Sequence, residues 1–289
     1  MGGHLMRAIA SEGKWEALPP PASWDIRDRD IVMDVVNDLA PNAVLHLAAQ
    51  SSVPRSFDDP VGTFEINALG TLNLLSALKA VGFKGRFLYV SSADVYGLVA
   101  EDSLPASEFT APAPRNPYAA SKLSAEIICH QWARSEGIEA IVARPFNHIG
   151  PGQSNAFVVP ALAEQLAEIS AGLHEPVIHV GDIDSTRDFT DVRDVVSAYQ
   201  KLLSNPVRNH LYVIGSGQER SVRSLLDKLC EISGVHPEIK IDTNRLRKAE
   251  QKRMCSDASL IRDQHGWEPK IDIYSTLNDI FNEARGKLK

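Results

Sequence analysis

Cysteine is scarce: Cys129, Cys230 and Cys255 are the three in 289 residues, and they lie far apart. They build neither a disulfide framework nor a zinc-ligand spacing, and a reducing cytoplasm is the natural compartment for such a chain. No uninterrupted apolar run is long enough to span a bilayer. Met1 to Ala10 holds too few basic and apolar residues for a secretory signal. Positive charge is outnumbered, net −7, which argues against a nucleic-acid surface, although Arg245 to Arg253 is locally basic. Internal repeats are absent, as are low-complexity tracts beyond Pro19–Pro20–Pro21. His, Cys and Asp nowhere cluster at metal-ligand spacing, and no serine-centred nucleophile elbow offers itself. The length leaves room for one large domain or two modest ones, with ample core.

What is present gathers around Arg115 to Lys122, Arg-Asn-Pro-Tyr-Ala-Ala-Ser-Lys. Asn116 and Pro117 read as a helix start, because proline suits a first helical position. Leu123, Ile127, Ile128 and Trp132 then recur at the spacing of one apolar helix face. Tyr118 and Lys122, four apart, share a face one turn from each other. An ammonium beside a phenol favours the phenolate, so a lowered tyrosine pKa is expected, and such a tyrosine exchanges a proton with a carbonyl or hydroxyl. On spacing alone, an exposed Tyr/Lys pair on a solvated helix is the commoner outcome. The rest of the chain weighs against it.

Short apolar runs alternate with helical stretches. A helix is expected over roughly Asp28 to Leu39, a buried strand over Ala43 to Leu47, and one long helix from about Pro60 to Ala80 with Phe64, Leu72, Leu75 and Leu78 inward. Gly82 and Gly85 break the chain before a strand at Arg86 to Val90. The Tyr118 helix follows, then a strand at Ala140 to Arg144. This alternation implies an α/β fold, a doubly wound parallel sheet with helices on both faces. Ligands in such sheets bind at the carboxyl ends of the strands, where His46 to Gln50, Ser91 to Gly97 and Arg144 to Gly152 lie. Beyond Gly150 a loop precedes a helix at Phe157 to Ala171 and a strand at Val177 to Val180. Asp188 to Leu203 reads as a helix of the first layer, followed by a strand at Leu211 to Ile214. Ser221 caps a helix ending near Gly234, and the remainder is mixed, with a short helix before Gly266–Trp267. The expected organisation is residues 1–150 as an α/β domain, to which 188–214 returns, and 151–289 as a smaller lobe, with a cleft between them as the default site.

In order along nearly the whole chain, these residues resemble the extended short-chain dehydrogenase/reductase family, which acts on nucleotide sugars. The matching pieces are Asp25–Ile26, His46-Leu47-Ala48-Ala49, Asn67 with Gly70–Thr71, and Ser91 to Gly97. Tyr118…Lys122, Arg144-Pro145-Phe146-Asn147, Arg187-Asp188-Phe189 and Arg247…Glu250 continue them. Arg144 to Gln153 and Gly181 to Phe189 are similar to the GDP-4-keto-6-deoxy-D-mannose reductase subgroup, which makes GDP-D-rhamnose. Its sister subgroup is GDP-mannose 4,6-dehydratase.

The resemblance implies roles. Tyr118 is the proton donor, Lys122 holds the nicotinamide ribose and lowers the tyrosine pKa, and Ser92 hydrogen-bonds the reacting C4 oxygen. Asp94 stands where the dehydratases carry a glutamate that removes the C5 proton. An aspartate is one methylene shorter and fits reduction better, or it simply fixes its loop. Asp25 and Ile26 contact the adenine, or form a solvated turn before the helix. Leu47, Ala48, Ala49 and Pro145 line the dinucleotide, the alanines by being small, and Asn67 supports the site from the long helix. Asn147, Arg187 and Arg247 bind diphosphate and sugar, arginine suiting phosphate through its fixed fork of donors. Glu250 takes a ribose or guanine group. His148 is tempting as an acid/base, but a lone histidine after a strand is more often structural. A homodimer through a four-helix interface that includes the tyrosine helix is implied as well.

One departure stands out. Family members open with a strand and a Gly-x-x-Gly-x-x-Gly turn whose amides hold the pyrophosphate. Here Gly2 fits the last glycine of that turn and His4–Leu5 the start of the next helix. A Rossmann sheet without its first strand is therefore expected, with exposed ladder edges beside the gap and no phosphate cradle. A start placed too late and a true truncation both account for it. The second strand is expected to end near Ala17 to Pro20, which offers neither an acid for a ribose hydroxyl nor an arginine for a phosphate. The missing acid tilts the cofactor, NADP(H) or NAD(H), toward NADP(H). Reduction of the 4-keto sugar on GDP is the first reading. Dehydration of GDP-mannose, another nucleotide-sugar epimerase or dehydratase activity, and an inactive sugar-nucleotide-binding remnant are its rivals.

Overall fold

A computed structural model describes residues 1–22, 24–205, 211–242 and 251–288. The chain opens with α1 (Gly2–Glu12) and α2 (Arg29–Leu39). Asp28 starts α2 by accepting from the amides of Asp30 and Ile31 at 3.0 and 3.1 Å, which satisfies donors a helix end leaves orphaned. Strand β1 (Ala43–His46) leads to α3 (Val53–Asp58), α4 (Pro60–Phe64) and α5 (Gly70–Ala80), then β2 (Arg86–Val90). The single long helix expected over Pro60 to Ala80 is instead interrupted: Glu65–Leu69 forms a wider π turn between α4 and α5. Such turns occur mostly as single bulges inside helices, frequently at functional sites, and this one carries the buried Asn67. The chain continues through α6 (Pro117–Ser135), β3 (Glu139–Pro145), β4 (Asn147–Ile149), α7 (Val158–Ser170), β5 (Val177–Val180) and β6 (Thr186–Asp191). Then come α8 (Val192–Ser204), β7 (Leu211–Ile214), β8 (Glu219–Ser221), α9 (Val222–Ser233), β9 (Glu238–Ile241), α10 (Ser259–His265) and α11 (Ile273–Gly286).

Strands β1, β2, β3 and β7 lie side by side in that order, all parallel. Their side chains alternate between two covered faces. Phe87, Tyr89, Ala140 and Val142 pack with Val32, Val36, Leu75, Leu78, Ala125 and Trp132 from α2, α5 and α6. Leu88, Ile141, Ala143 and Tyr212 face the other way, against Val195, Tyr199, Leu202, Ile261 and Trp267 from α8, α10 and the loop after it. Each fully buried leucine or isoleucine here contributes about 1.5–3 kcal/mol. A separate core forms where α7, α9 and α11 enclose β5 and β6, with Leu162, Leu166, Phe189, Leu225, Leu229, Leu277 and Phe281. Smaller sheets, β4–β6–β8 and β5–β9, flank it.

Three expectations are corrected. Asp188 does not begin a helix. It lies in β6, fully buried, accepting from the amides of Ser216 and Gly217 at 2.8 Å each and from Ser256, which locks its backbone extended. Helix α8 starts only after Asp191, whose carboxylate caps the Arg193 amide at 2.7 Å. Ala17 to Pro20 forms no strand, because among the described residues the outer edge of β1 has no strand for a partner. The mixed C-terminal stretch holds α11, capped by Asp272 on the Ser275 amide, with Ile273, Leu277, Ile280 and Phe281 inward. That cap and spacing are ordinary helix signals. Helix α1 packs against α8, and the His4 ring nitrogen Nε2 lies 2.7 Å from the Pro151 carbonyl oxygen.

Candidate active site

The parallel order brings the carboxyl ends of β1, β2 and β3 to one edge of the sheet, and the chain's chemistry collects there. Asn116 caps α6 by accepting from the Ala119 amide at 2.7 Å. Pro117 takes the first helical position, so Tyr118 stands in the first turn. After β2, Ser92 is extended (φ −157°, ψ 148°) and its Oγ accepts from the Asp94 amide at 3.2 Å, capping the short turn Ala93–Tyr96. Gly97 ends that turn at φ 63°, ψ −127°. A Cβ there would lie 1.9 Å from the Ala113 carbonyl oxygen, so the loop requires glycine.

The Ser92 hydroxyl lies beside that of Tyr118. Tyr118 is only 8% exposed. Burial pushes its pKa up to about 12; the Asp94 carboxylate adds to the rise, and the Ser92 hydroxyl opposes it. The lowered tyrosine pKa expected from Lys122 is thus reversed, because taking the phenolate out of water outweighs its neighbours. Lys122 Nζ donates to the Val90 carbonyl at 2.8 Å and sits 4.9 Å from the centre of the Tyr89 ring. Burial lowers its pKa to about 8, with Glu126 pulling the other way. An ammonium has three donors, and Val90 accounts for one of them. The others suit the hydroxyls of a ribose.

Asn67 ties the site together. Its Oδ1 accepts from the Gln50 amide at 2.8 Å, and its Nδ2 donates to the Gln50 carbonyl at 3.0 Å and to Ser121 Oγ at 2.8 Å. Ser121 in turn donates to the Tyr118 carbonyl at 2.7 Å. One buried amide therefore joins the loop after β1 to the first turn of α6. Next to it, Ala49, Gln50, Ser51, Ser52, Arg55 and Ile66 line a cleft of about 400 Å³. Sequence reasoning reached Ala49 but missed Ser52 and Arg55, which no motif marks. Leu47 and Ala48 are half-buried beside it, and Pro145 is buried at the end of β3.

Other expected residues lie further out. The Asp25 carboxylate is taken by the Arg27 guanidinium, Nε at 3.0 Å from both oxygens, which holds its pKa down at about 2. Ile26 is buried and so close to Gly70 that a Cβ there would meet it at 2.7 Å. Gly2 is exposed at the start of α1. Asn147 is exposed at the start of β4, paired in register with Phe189. Arg187 is half-buried on β6, its Nη1 donating to the Thr186 carbonyl at 2.8 Å. Arg247 and Glu250 lie outside the described residues. His148 Nδ1 lies 3.2 Å from the Phe146 carbonyl oxygen, and burial lowers its pKa. Asp94 is exposed beside the tyrosine.

His46 yields an expected pH dependence. It is buried, 3.0 Å from Thr71 Oγ1 through Nε2, and burial lowers its pKa from 6.5 to about 3, with the Lys122 charge adding to the drop. Between those values the unfolded chain holds a proton that the native chain does not. Stability therefore rises with pH through this window and is lost as pH falls, by at most about 1.4 kcal/mol per unit. Urea unfolding at about pH 7 and about pH 5 should show the loss in the parent and a smaller one in His46→Gln. Equal losses would remove His46 as the cause.

Comparison with known proteins bears on the family and the fold. Residues 21–280 match the family model described as GDP-mannose 4,6 dehydratase. The chain is 47% identical to the GDP-6-deoxy-D-mannose reductase of Pseudomonas aeruginosa, over all of this chain and 95% of that protein. It is 29% identical to the GDP-mannose 4,6-dehydratase of Yersinia enterocolitica, over 86% of this chain and 74% of that one. The solved structure of RMD from Pseudomonas aeruginosa complexed with NADPH superposes with a TM-score of 0.94 at 47% identity, covering 99% of this chain and 95% of that chain.

Proposed function

Because the chain belongs to the GDP-mannose 4,6 dehydratase family, within the extended short-chain dehydrogenases/reductases, we propose that it reduces the C4 ketone of GDP-4-keto-6-deoxy-D-mannose to GDP-D-rhamnose with NAD(P)H. The observation that carries the reading is the gathering of Ser92, the buried Tyr118 and the buried Lys122 at the end of β2. When bound, the reduced nicotinamide supplies the hydride. Tyr118 delivers the proton to the C4 oxygen: with its pKa near 12 it carries that proton throughout the neutral range. Ser92 orients the same oxygen, and Lys122 holds the ribose through its remaining donors. Ile26 packs on the adenine, with Asp25 beside it. Leu47, Ala48, Ala49, Pro145 and the Asn67-braced loop shape the dinucleotide side, and Gly2 faces the pyrophosphate. Asn147 and Arg187 hold the sugar nucleotide, with Arg247 and Glu250 assigned to it by resemblance.

In this reading residues 1–150 with 188–214 carry the cofactor, and the lobe over 151–289 carries the GDP-sugar. A preference for NADPH is supported by the RMD structure complexed with NADPH. A reducing cytoplasm suits the free cysteines Cys129, Cys230 and Cys255. The test is oxidation of NADPH, and separately NADH, by the purified chain with the 4-keto sugar, with the GDP-linked product identified by mass and NMR. Consumption of GDP-mannose without added reduced cofactor would put dehydration first. Failure to bind either cofactor would favour the remnant.

The active unit proposed is a homodimer formed through α4–α6. Val61 and Ile127 are 68% and 62% exposed on contacting helices, with Leu69 exposed near them. Ile127→Arg should weaken dimerisation on the order of 100-fold, read by sedimentation equilibrium. A variant that dimerises as tightly as its parent would remove this face from the interface.

A further inference from the structure

Directly behind the Tyr118–Lys122 pair lies a buried charged cluster that the proposed reaction does not use. Glu126, one turn beyond Lys122 on α6, is 1% exposed, and Arg144 on β3 is 4% exposed. Arg144 donates to the Glu126 carboxylate from Nε at 2.9 Å and from Nη2 at 2.6 Å. The same carboxylate accepts from Ser91 Oγ. The far side of the guanidinium is covered by the Tyr96 ring, its centre 4.9 Å away. Ser91 is also held from β3, its amide donating to the Ala143 carbonyl at 2.8 Å.

Three consecutive residues at the end of β2 thus each meet α6. Val90 accepts from Lys122, Ser91 donates to Glu126, and Ser92 lies beside Tyr118. Only the outer two carry reaction roles. The middle tie is the one whose partner is anchored on a third element, β3. A buried ion pair is weak evidence for stability, since apolar residues of similar volume often serve as well, whereas reacting groups lose rate steeply when misplaced by an ångström.

We propose that Glu126 and Arg144 are positioning residues for the reduction: by clamping Ser91 to α6 they set the spacing between Ser92 and Tyr118, and Glu126 sets the electrostatic surroundings of Lys122. The second part has a titration consequence. Lys122 faces the neutral His46 from β1 and the Tyr89 ring from β2. On its own helix it faces Cys129 and Glu126, with Tyr118 one turn before it, Arg144 from β3 behind Glu126 and Asp94 beside Tyr118. The Glu126 carboxylate is the charge that most strongly opposes the effect of burial on the ammonium. Without it, Lys122 loses its proton at a lower pH.

The inference rests on the reductase reading, so its test has two arms. In the first, the full chain reduces the 4-keto sugar with NADPH. Ser91→Ala, which deletes one hydroxyl, should lower kcat about 10-fold while KM for the GDP-sugar stays within about 2-fold. In the second, NADPH affinity is titrated against pH without substrate. Glu126→Gln should move the alkaline limb down by about one pH unit, Ser91→Ala should leave it in place, and Glu126→Asp should restore it. Wild-type kcat in a folded Ser91→Ala, or an unmoved limb in a folded Glu126→Gln, overturns the corresponding half of the proposal. Should Glu126→Gln not fold, Glu126→Asp serves alone: its limb must shift by less than half a unit, and its kcat must exceed that of Ser91→Ala. A parent that binds NADPH but does not reduce the sugar sinks the substrate reading and leaves the second arm decisive.

Discussion

Replacing Tyr118 with phenylalanine is expected to lower turnover of the 4-keto sugar about 10²–10⁴-fold while leaving NADPH affinity within about 2-fold. The ring stays in its buried slot, and only the hydroxyl leaves. Losing one hydroxyl costs about 1 kcal/mol of stability at most, so the variant should fold. The group that protonates the C4 oxygen is gone. The parent should also hold its proton-donor activity well into the alkaline range, because a phenol near 12 stays protonated there. Any earlier alkaline loss then belongs to Lys122, which titrates near 8, and it should persist in the residual activity of Tyr118→Phe. Turnover in Tyr118→Phe within about 3-fold of the parent would take the proton-donor role away from this residue.

Arg144→Met should destabilise the chain by about 3–5 kcal/mol, the second large effect. The substitution fills most of the volume beside Tyr96 but strands the Glu126 carboxylate, buried with the Ser91 hydroxyl still donating to it. Adding Glu126→Leu to Arg144→Met removes the stranded charge, and stability should return to within about 1 kcal/mol of the parent. Urea midpoints and slopes for the parent, single and double variants decide this. If the double variant is no more stable than the single, the cost lies in packing around Tyr96 and not in an unpaired charge. If the double variant folds and turns over at the parent rate, the positioning role of the pair is gone as well.

Much of the fold was open to reading because its signals are local. Phe87, Leu88, Ile141 and Val142 form apolar runs that suit strands covered on both faces. Ser221 and Gly234 bracket α9, and Asn116–Pro117 starts α6. Helix α11 carries the same kind of signal, the Asp272 cap and the spacing of Ile273, Leu277 and Ile280. Asp188 was not legible. An aspartate ahead of an amphipathic stretch reads as a helix start, and nothing near it in the chain announces Ser216 and Ser256 as its donors. Ser52 and Arg55 were equally silent, since lining a cleft leaves no pattern in sequence.

The sequence by itself determined the parallel α/β architecture, the one-turn spacing of Tyr118 and Lys122, and the ordered motifs that identify the family. All of these follow from backbone propensity, periodicity and capping, which act over a few residues. Only the tertiary structure decided the sign of the Tyr118 shift, the π turn that presents Asn67, the unpaired stretch at Ala17 to Pro20, and the union of Glu126 with Arg144 and Ser91. Each depends on what packs against a residue from far along the chain. Desolvation and charge pairing are set by that packing, and no local pattern encodes it.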